Sequence, residues 1–554
     1  MRSPPGRCPI PQRPRAQRDG GRLARLAYPW LAMRRDFPEG EPVRAAEIIA
    51  TACVATDLGM GFPFEHGLQG TLMAMRLADL LDVDARTVTQ TYYTSLLVYA
   101  GCTTDSDIAA GIFAGNRSEN ITPVQFGSPV QAVAGLIRSL PSPDDPAHRR
   151  AYEIAKRFVP AGRFIKSHFA ALCEVAEVMA KRLGLPPDVH DLFVHLTERW
   201  DGKGLLKRAG GEEIPMALRI AHVARDAAYQ RMIGGDDHAV EAIRQRSGRA
   251  FDPRVARTFI DEAPVIFDAA DGSGAAWDAI LAAEPLPWPT LKDQPLDRAL
   301  AVIGDFADLA SPHFSGHSSG VAQVASAAAR LCGFDPQDAA LVQRAAFVHD
   351  VGRVAISPPI WQKPAPLTLD EEEQVRLHPY HTERILLRPG FLASLADIAC
   401  AHHERLDGTG YHRRLSAASL PEGARLLAAA DAFQAMLEPR PHRPGIPPDE
   451  AATLLGEEAR AGRHDPAMVA AVIEAAGQPA PEVHRPAGLT EREVEVVGLV
   501  ARGLQTKQVA RRLGISIKTA DRHIQNSYRK IGVSTRAAAT LFAMEHGLVP
   551  REPH

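Results

Sequence analysis

His402-His403-Glu404-Arg405-Leu406-Asp407-Gly408-Thr409-Gly410-Tyr411 is the stretch from which the fold can be read. Two adjacent imidazoles run into an acidic turn punctuated by glycines. Far upstream, Glu198-Arg199-Trp200-Asp201-Gly202-Lys203-Gly204 repeats that turn, with Leu196-Thr197 where the imidazole pair stands. An Arg opening an apolar helix follows each Glu at the same distance, Arg219 and Arg425. Further on, Gly248-Arg249-Ala250-Phe251-Asp252-Pro253 matches Gly462-Arg463-His464-Asp465-Pro466 with one residue fewer. Shared order and near-equal spacing predict two copies of one unit.

Outward from these turns, apolar residues recur at three- and four-residue spacing over 43–266 and over 296–476, the period of helices. The expectation is an all-α chain. Its 554 residues exceed what one core organises. Pro and Gly concentrate at 267–295 and 477–488, read as linkers, and a short helical block fills 489–548. Residues 1–32 carry seven Arg and six Pro with no periodicity, and 1–42 are read as a disordered extension. Hydrophobic residues make up 45% and charged residues 23%, which excludes collagen-like and disordered compositions. No charge-free apolar run spans a bilayer, so no membrane partner is expected. Six scattered cysteines without a CxxC pair exclude a disulfide framework and suit the reduced thiols of a cytoplasmic protein.

The second copy concentrates metal-ligand chemistry: His317, the pair His349-Asp350, His378, the pair His402-His403, and Asp431. Imidazole with carboxylate suits iron, manganese, zinc or nickel. Five histidines and two aspartates exceed one tetrahedral site. Two metals sharing a carboxylate would use all seven, and cations about 3.5–4 Å apart can clamp the attacking and departing oxygens of a phosphoryl transfer.

This region resembles the HD-GYP branch of the HD-domain metal phosphohydrolases. The residues that carry the likeness are Gly316-His317-Ser318, His349-Asp350-Val351-Gly352-Arg353, His378-Pro379, His402 through Tyr411, and Ala430-Asp431. The resemblance implies one divalent metal on His317, His349, Asp350 and Asp431, and a second on Asp350, His378, His402 and His403, with iron or manganese as the metal. It implies hydrolysis of cyclic di-GMP or a related nucleotide phosphodiester, with Asp350 and Arg353 catalytic and Arg353, Tyr411, His412, Arg440 and Arg443 on the substrate. Departures bear on substrate identity. Arg353 replaces the family's Lys, His412 replaces the Pro of Gly-Tyr-Pro, and His313 stands where some members carry a Glu for a third metal. A second reading stays open, in which the domain binds metal or nucleotide as a sensor without turnover.

Aligned on the shared turn, the first copy has lost the set. His66 matches His317, but Tyr99-Ala100 replace His349-Asp350 and Arg225 falls at Asp431. A degenerate, non-catalytic HD-like domain is expected over 43–266.

In the last block, Thr490 and Glu493 form a capping box, Gly503 ends that helix, Gly514 makes a turn and Ser516 caps the next helix. Ten Lys and Arg against five Asp and Glu over 487–548 set a local charge of +5 in a chain of −3. This segregation fits phosphate contact. The block resembles the LuxR-type DNA-binding domain, which implies a small four-helix helix-turn-helix unit and promoter DNA as partner. Its implied recognition helix is 516–530. Lys518, Thr519 and Arg522 are the candidates for base or phosphate contact, and Lys507 and Lys530 for phosphate contact. A homodimer is expected by analogy with two-half-site operators. The whole reads as a cytoplasmic transcriptional regulator joined to a metal phosphohydrolase unit.

Overall fold

The computed structural model describes residues 41–549 apart from 103–108, 110, 115–119, 273–274, 389 and 478–485. All but residues 41–42 of the expected extension at 1–42, and most of the 477–488 linker, therefore lie outside the described residues. What is described is helical but for one two-stranded ribbon, β1 (Val43–Arg44) paired antiparallel with β2 (Thr290–Leu291).

The first copy is built on α1 (Ala45–Met60), α2 (His66–Leu80), α3 (Ala85–Leu97), α4 (Ala147–Arg182) and α5 (Met216–Arg246). Helix α1 is apolar on nearly every side, and it is buried on nearly every side. The segment 267–295, read as a linker, forms regular elements in its described residues. It holds α6 (Ala276–Ala282), whose Trp277 is fully buried, and β2. The Pro and Gly there mark turns between short elements, and burial of one large indole outweighs the weak helical period.

The second copy follows as α7 (Asp293–Asp308), α8 (His317–Leu331), α9 (Pro336–Val348), α10 (His378–Leu386), α11 (Phe391–Ala399), α12 (Glu422–Leu437) and α13 (Pro466–Ala476). The internal repeat extends to hydrogen bonds. Asp57 accepts from the amide of Gly67, and Asp308 accepts from the amide of Ser318, each ten residues on. Arg219 pairs with Asp252 at 3.2 Å, and Arg425 with Asp465 at 3.4 Å. The buried carboxylates of Glu198 and Glu404 each accept backbone amides of the turn that follows. Gly410 is required there, because a Cβ would lie 2.5 Å from the Arg405 nitrogen.

The C-terminal unit comprises α14 (Glu491–Ala501), α15 (Thr506–Arg512), α16 (Ile517–Ile531) and α17 (Arg536–Glu545). It rests on both copies. Ala537 and Leu541 join the core that runs through α1, α4 and the second copy. Glu174 on α4 accepts the amides of Ser534 and Thr535 at the start of α17. The Ser315 hydroxyl donates to the Ala501 carbonyl at 2.8 Å.

Candidate metal centre and nucleic-acid interface

Helix ends deliver the seven side chains of ligand type. His317 opens α8, His349-Asp350 follow α9, His378 opens α10, His402-His403 follow α11, and Asp431 lies within α12. Six of the seven are at most 2% exposed, and His403 is half-buried. Donor atoms of His317, His349, Asp350 and Asp431 lie within 4.8 Å of one another, as do those of His378, His402 and His403.

Asp350 faces both groups. Its Oδ2 is 2.9 Å from His349 Nε2 and 3.3 Å from His317 Nε2, while Oδ1 is 3.2 Å from His378 Nε2 and 3.4 Å from His402 Nε2. Asp431 Oδ1 stands 3.1 Å from His317 Nε2, and its Oδ2 is 3.8 Å from His403 Nδ1.

The donor chemistry fits a cation. His378 Nδ1 lies 2.6 Å from the Val375 carbonyl, and His402 Nδ1 lies 2.6 Å from the Ala399 carbonyl. A carbonyl only accepts, so each Nδ1 is the donor, and a ring in its neutral form carries its lone pair on Nε2. Those two Nε2 atoms face one another at 3.1 Å. Two lone pairs at that distance repel, and a cation bound by both converts the repulsion into ligation. His349 Nδ1 likewise lies 2.7 Å from the Ala346 carbonyl; burial pushes this ring down, but Asp350, 2.9 Å from its Nε2, and Asp431 carry it up to about 9, so a metal taken there displaces a proton. Both Asp350 oxygens also lack a hydrogen-bonding partner of good geometry. A divalent metal takes neutral imidazoles and carboxylates held in this way by outer hydrogen bonds.

Electrostatics keep both carboxylates ionised and His378 neutral; burial opposes protonation of His317 and His349, but the neighbouring carboxylates raise both. Burial works against ionising Asp350, but the Arg353 guanidinium and the His349 ring hold its carboxyl well below the usual range. Burial likewise opposes Asp431, and His317 and His349 overcome it. Burial pushes His378 down to about 4, so it is neutral at pH 7.

The expected substrate residues part company. Arg353 is buried, with Nη2 2.5 Å from Asp350 Oδ2 and its guanidinium 4.3 Å over Phe314, while Nε and Nη1 have no hydrogen bond. Tyr411 stacks on His403, ring centres 4.7 Å apart. Arg440 pairs with Glu438 at 3.1 Å and donates to the His313 carbonyl. His412 is a correction. It is turned to Glu383, with Nε2 2.9 Å from the carboxylate, because Arg413 and His412 share that acid. Arg443 is another. It donates to the carbonyls of Ala435, Met436 and Glu438 and so closes the C-terminus of α12.

One site residue was missed. Glu438 is half-buried beside His317, whose Nδ1 donates to it at 2.9 Å. It follows the last residue of α12 in extended backbone, seven residues after Asp431, so helical periodicity gave no signal for it.

In the C-terminal unit, the capping box at Thr490 and Glu493, the left-handed Gly503 and Gly514, and the Ser516 cap form as expected. Lys507, Lys518, Thr519 and Arg522 are exposed. Thr519 also donates its amide to Ser516 Oγ. Lys530 is exposed too, and its ammonium is also held by the buried Glu493 at 2.6 Å and by the Gly488 carbonyl.

Comparisons with known proteins agree with this division. Residues 301–468 match the HD domain family, and residues 487–543 match the luxR family of bacterial regulatory proteins. The chain is 27% identical over 421 residues to a 3'3'-cGAMP-specific phosphodiesterase 3 of Vibrio cholerae, spanning 74% of this chain and 90% of that protein. It is 34% identical over 161 residues to a cyclic di-GMP phosphodiesterase response regulator of Xanthomonas campestris, spanning 28% of this chain and 42% of that protein. A solved cyclic GMP-AMP specific phosphodiesterase of V. cholerae shares the fold, with a TM-score of 0.54 at 24% identity over 79% of this chain and 99% of that one. The second half of the chain is thus an HD domain followed by a LuxR-family helix-turn-helix domain, with cyclic dinucleotide phosphodiesterases among its relatives.

Proposed function

We propose that the protein is a metal-dependent phosphodiesterase acting on a 3',3'-cyclic dinucleotide, joined to a promoter-binding module in a homodimeric, cytoplasmic transcriptional regulator. The observation that carries the enzymatic half is the Asp350 carboxylate shared between two buried ligand groups. Manganese or iron bound there would supply Lewis acidity and an activated water. The protein's own share is positional. Carbonyls of Ala346, Val375 and Ala399 fix three imidazoles by Nδ1 and aim each Nε2 inward. Glu438 does the same for His317 and strengthens its basicity. The two free guanidinium nitrogens of Arg353 are placed to take phosphoryl oxygens, in the fork geometry that phosphate accepts.

The sensor reading draws on one feature, the close Arg353–Asp350 pair, which competes with metal for the same oxygen. Hydrolysis separates the two. Purified protein with manganese or ferrous iron should linearise a 3',3'-cyclic dinucleotide, and Asp350→Ala should lose turnover and both metal equivalents. Tight dinucleotide binding by metal-loaded wild type, with no product, would establish the sensor and end the enzyme proposal.

A further inference from the structure

In the first copy, Tyr99, Ala100 and Leu196, which align with His349, Asp350 and His402, are packed into the apolar core, but polar side chains remain beside them. Arg225, which aligns with Asp431, is 6% exposed, and His66, which aligns with His317, is 4% exposed. Together with Ser95, 5% exposed, they line one cavity of about 10 Å³ between α2, α3 and α5. Arg225 Nη1, His66 Nε2 and Ser95 Oγ each lack a hydrogen bond within the protein. Arg225 Nη2 is satisfied by the neutral Gln125 Oε1 at 2.8 Å, and its guanidinium lies 4.5 Å over the Tyr99 ring. No carboxylate among the described residues ion-pairs with it.

A guanidinium stays protonated at any pH a protein survives, and a buried unpaired charge is strongly unfavourable. Three polar groups able to donate converge on a volume that holds one atom of water size. Water accepts two hydrogen bonds and must place its own two protons. A halide accepts several and has none to place. The fixed positive charge also excludes a metal cation. We propose that the vestigial centre of the first copy is a binding site for a small inorganic anion of chloride size, held by Arg225, His66 and Ser95. The substitution that removed the metal ligand supplied the charge that holds the anion.

Bromide reads the site directly. Crystals of the full-length protein grown in sodium bromide should show one anomalous peak within hydrogen-bonding distance of Arg225 Nη1 and His66 Nε2. Density there without bromine signal would be water and would overturn the proposal, as would no density at all. In solution, replacing sodium gluconate by sodium chloride at constant ionic strength should raise the melting temperature of wild type, because an anion bound only by the folded state stabilises it by mass action. Arg225→Gln should abolish that chloride-specific rise. If Arg225→Gln does not fold, Ser95→Ala, which keeps the charge but removes one donor, should shift the chloride midpoint upward. An identical chloride response in wild type and a folded variant would also refute the site.

Discussion

A single carboxylate organises the candidate centre, and a second tunes it. Asp350 has an oxygen for each ligand group, whereas Glu438 touches neither group except through His317 Nδ1. Outer partners of this kind are worth about 10–100-fold in metal affinity. Glu438→Gln should therefore weaken manganese binding by about that factor in a competition titration with a chelating dye, without unfolding the protein. An unchanged affinity would show that the contact is incidental. Asp57, in the first copy, gives a pH prediction. Burial raises its carboxyl to about 8, against the pull of the Gly67 amide. The folded value lies above the unfolded one, so its stabilisation is present below about 4 and is lost as pH rises towards 8. The stability advantage of wild type over Asp57→Asn should shrink between pH 5 and pH 8, by at most about 1.4 kcal/mol per pH unit. Denaturant melts across that range, giving a flat difference, would contradict it.

Elements decide how those residues are presented. Every ligand but Asp431 sits at a helix end, where side chains from separate helices can meet without distorting any one of them. The recognition helix α16 obeys a different logic. Ala520, Ile524 and Ser527 are buried against its neighbours, while Lys518 and Arg522 stand on the open face. A phosphate contact from Lys518 predicts that Lys518→Ala weakens promoter binding at all sequences and lowers the slope of log affinity against log salt by about one. A sequence-dependent loss in mobility-shift assays would instead make Lys518 a base reader. Lys530, held by Glu493, should show neither effect when replaced by Gln, and would lower thermal stability instead.

Across the whole molecule, the DNA-binding unit rests on the elements that carry the site. The turn 311–316 runs between the Ala501 carbonyl and His317, and its own His313 carbonyl accepts from Arg440. The first copy contributes Glu174 to α17 and Arg182 to Asp305 of the second copy at 2.6 Å. Ligand removal at the centre should therefore be felt globally. Chelation of metal-loaded protein should lower the melting temperature in a metal-concentration-dependent way. Asp350→Ala protein should be indifferent to the chelator. Equal loss in both would point to chelation elsewhere.

Much was legible in the chain alone. Helical periodicity, the repeated acidic turn, the capping box and the order of seven ligand-type residues are local or spacing signals, and each survives without knowing what packs on what. The repeat aligns Arg225 with Asp431, and the structure places Arg225 beside His66 in one cavity. Tertiary structure alone decided which oxygen of Asp350 meets which imidazole, because distance between remote helix ends has no local signature. It also decided that Ala276–Ala282 forms a helix in the expected linker, since one buried Trp277 outweighs the Pro and Gly around it. His412 and Arg443 are expected on the substrate and Lys530 on a DNA phosphate, and the structure engages them with Glu383, with helix carbonyls and with Glu493. Charge type is written in the sequence, but the partner that neutralises it is fixed by the packing of distant elements.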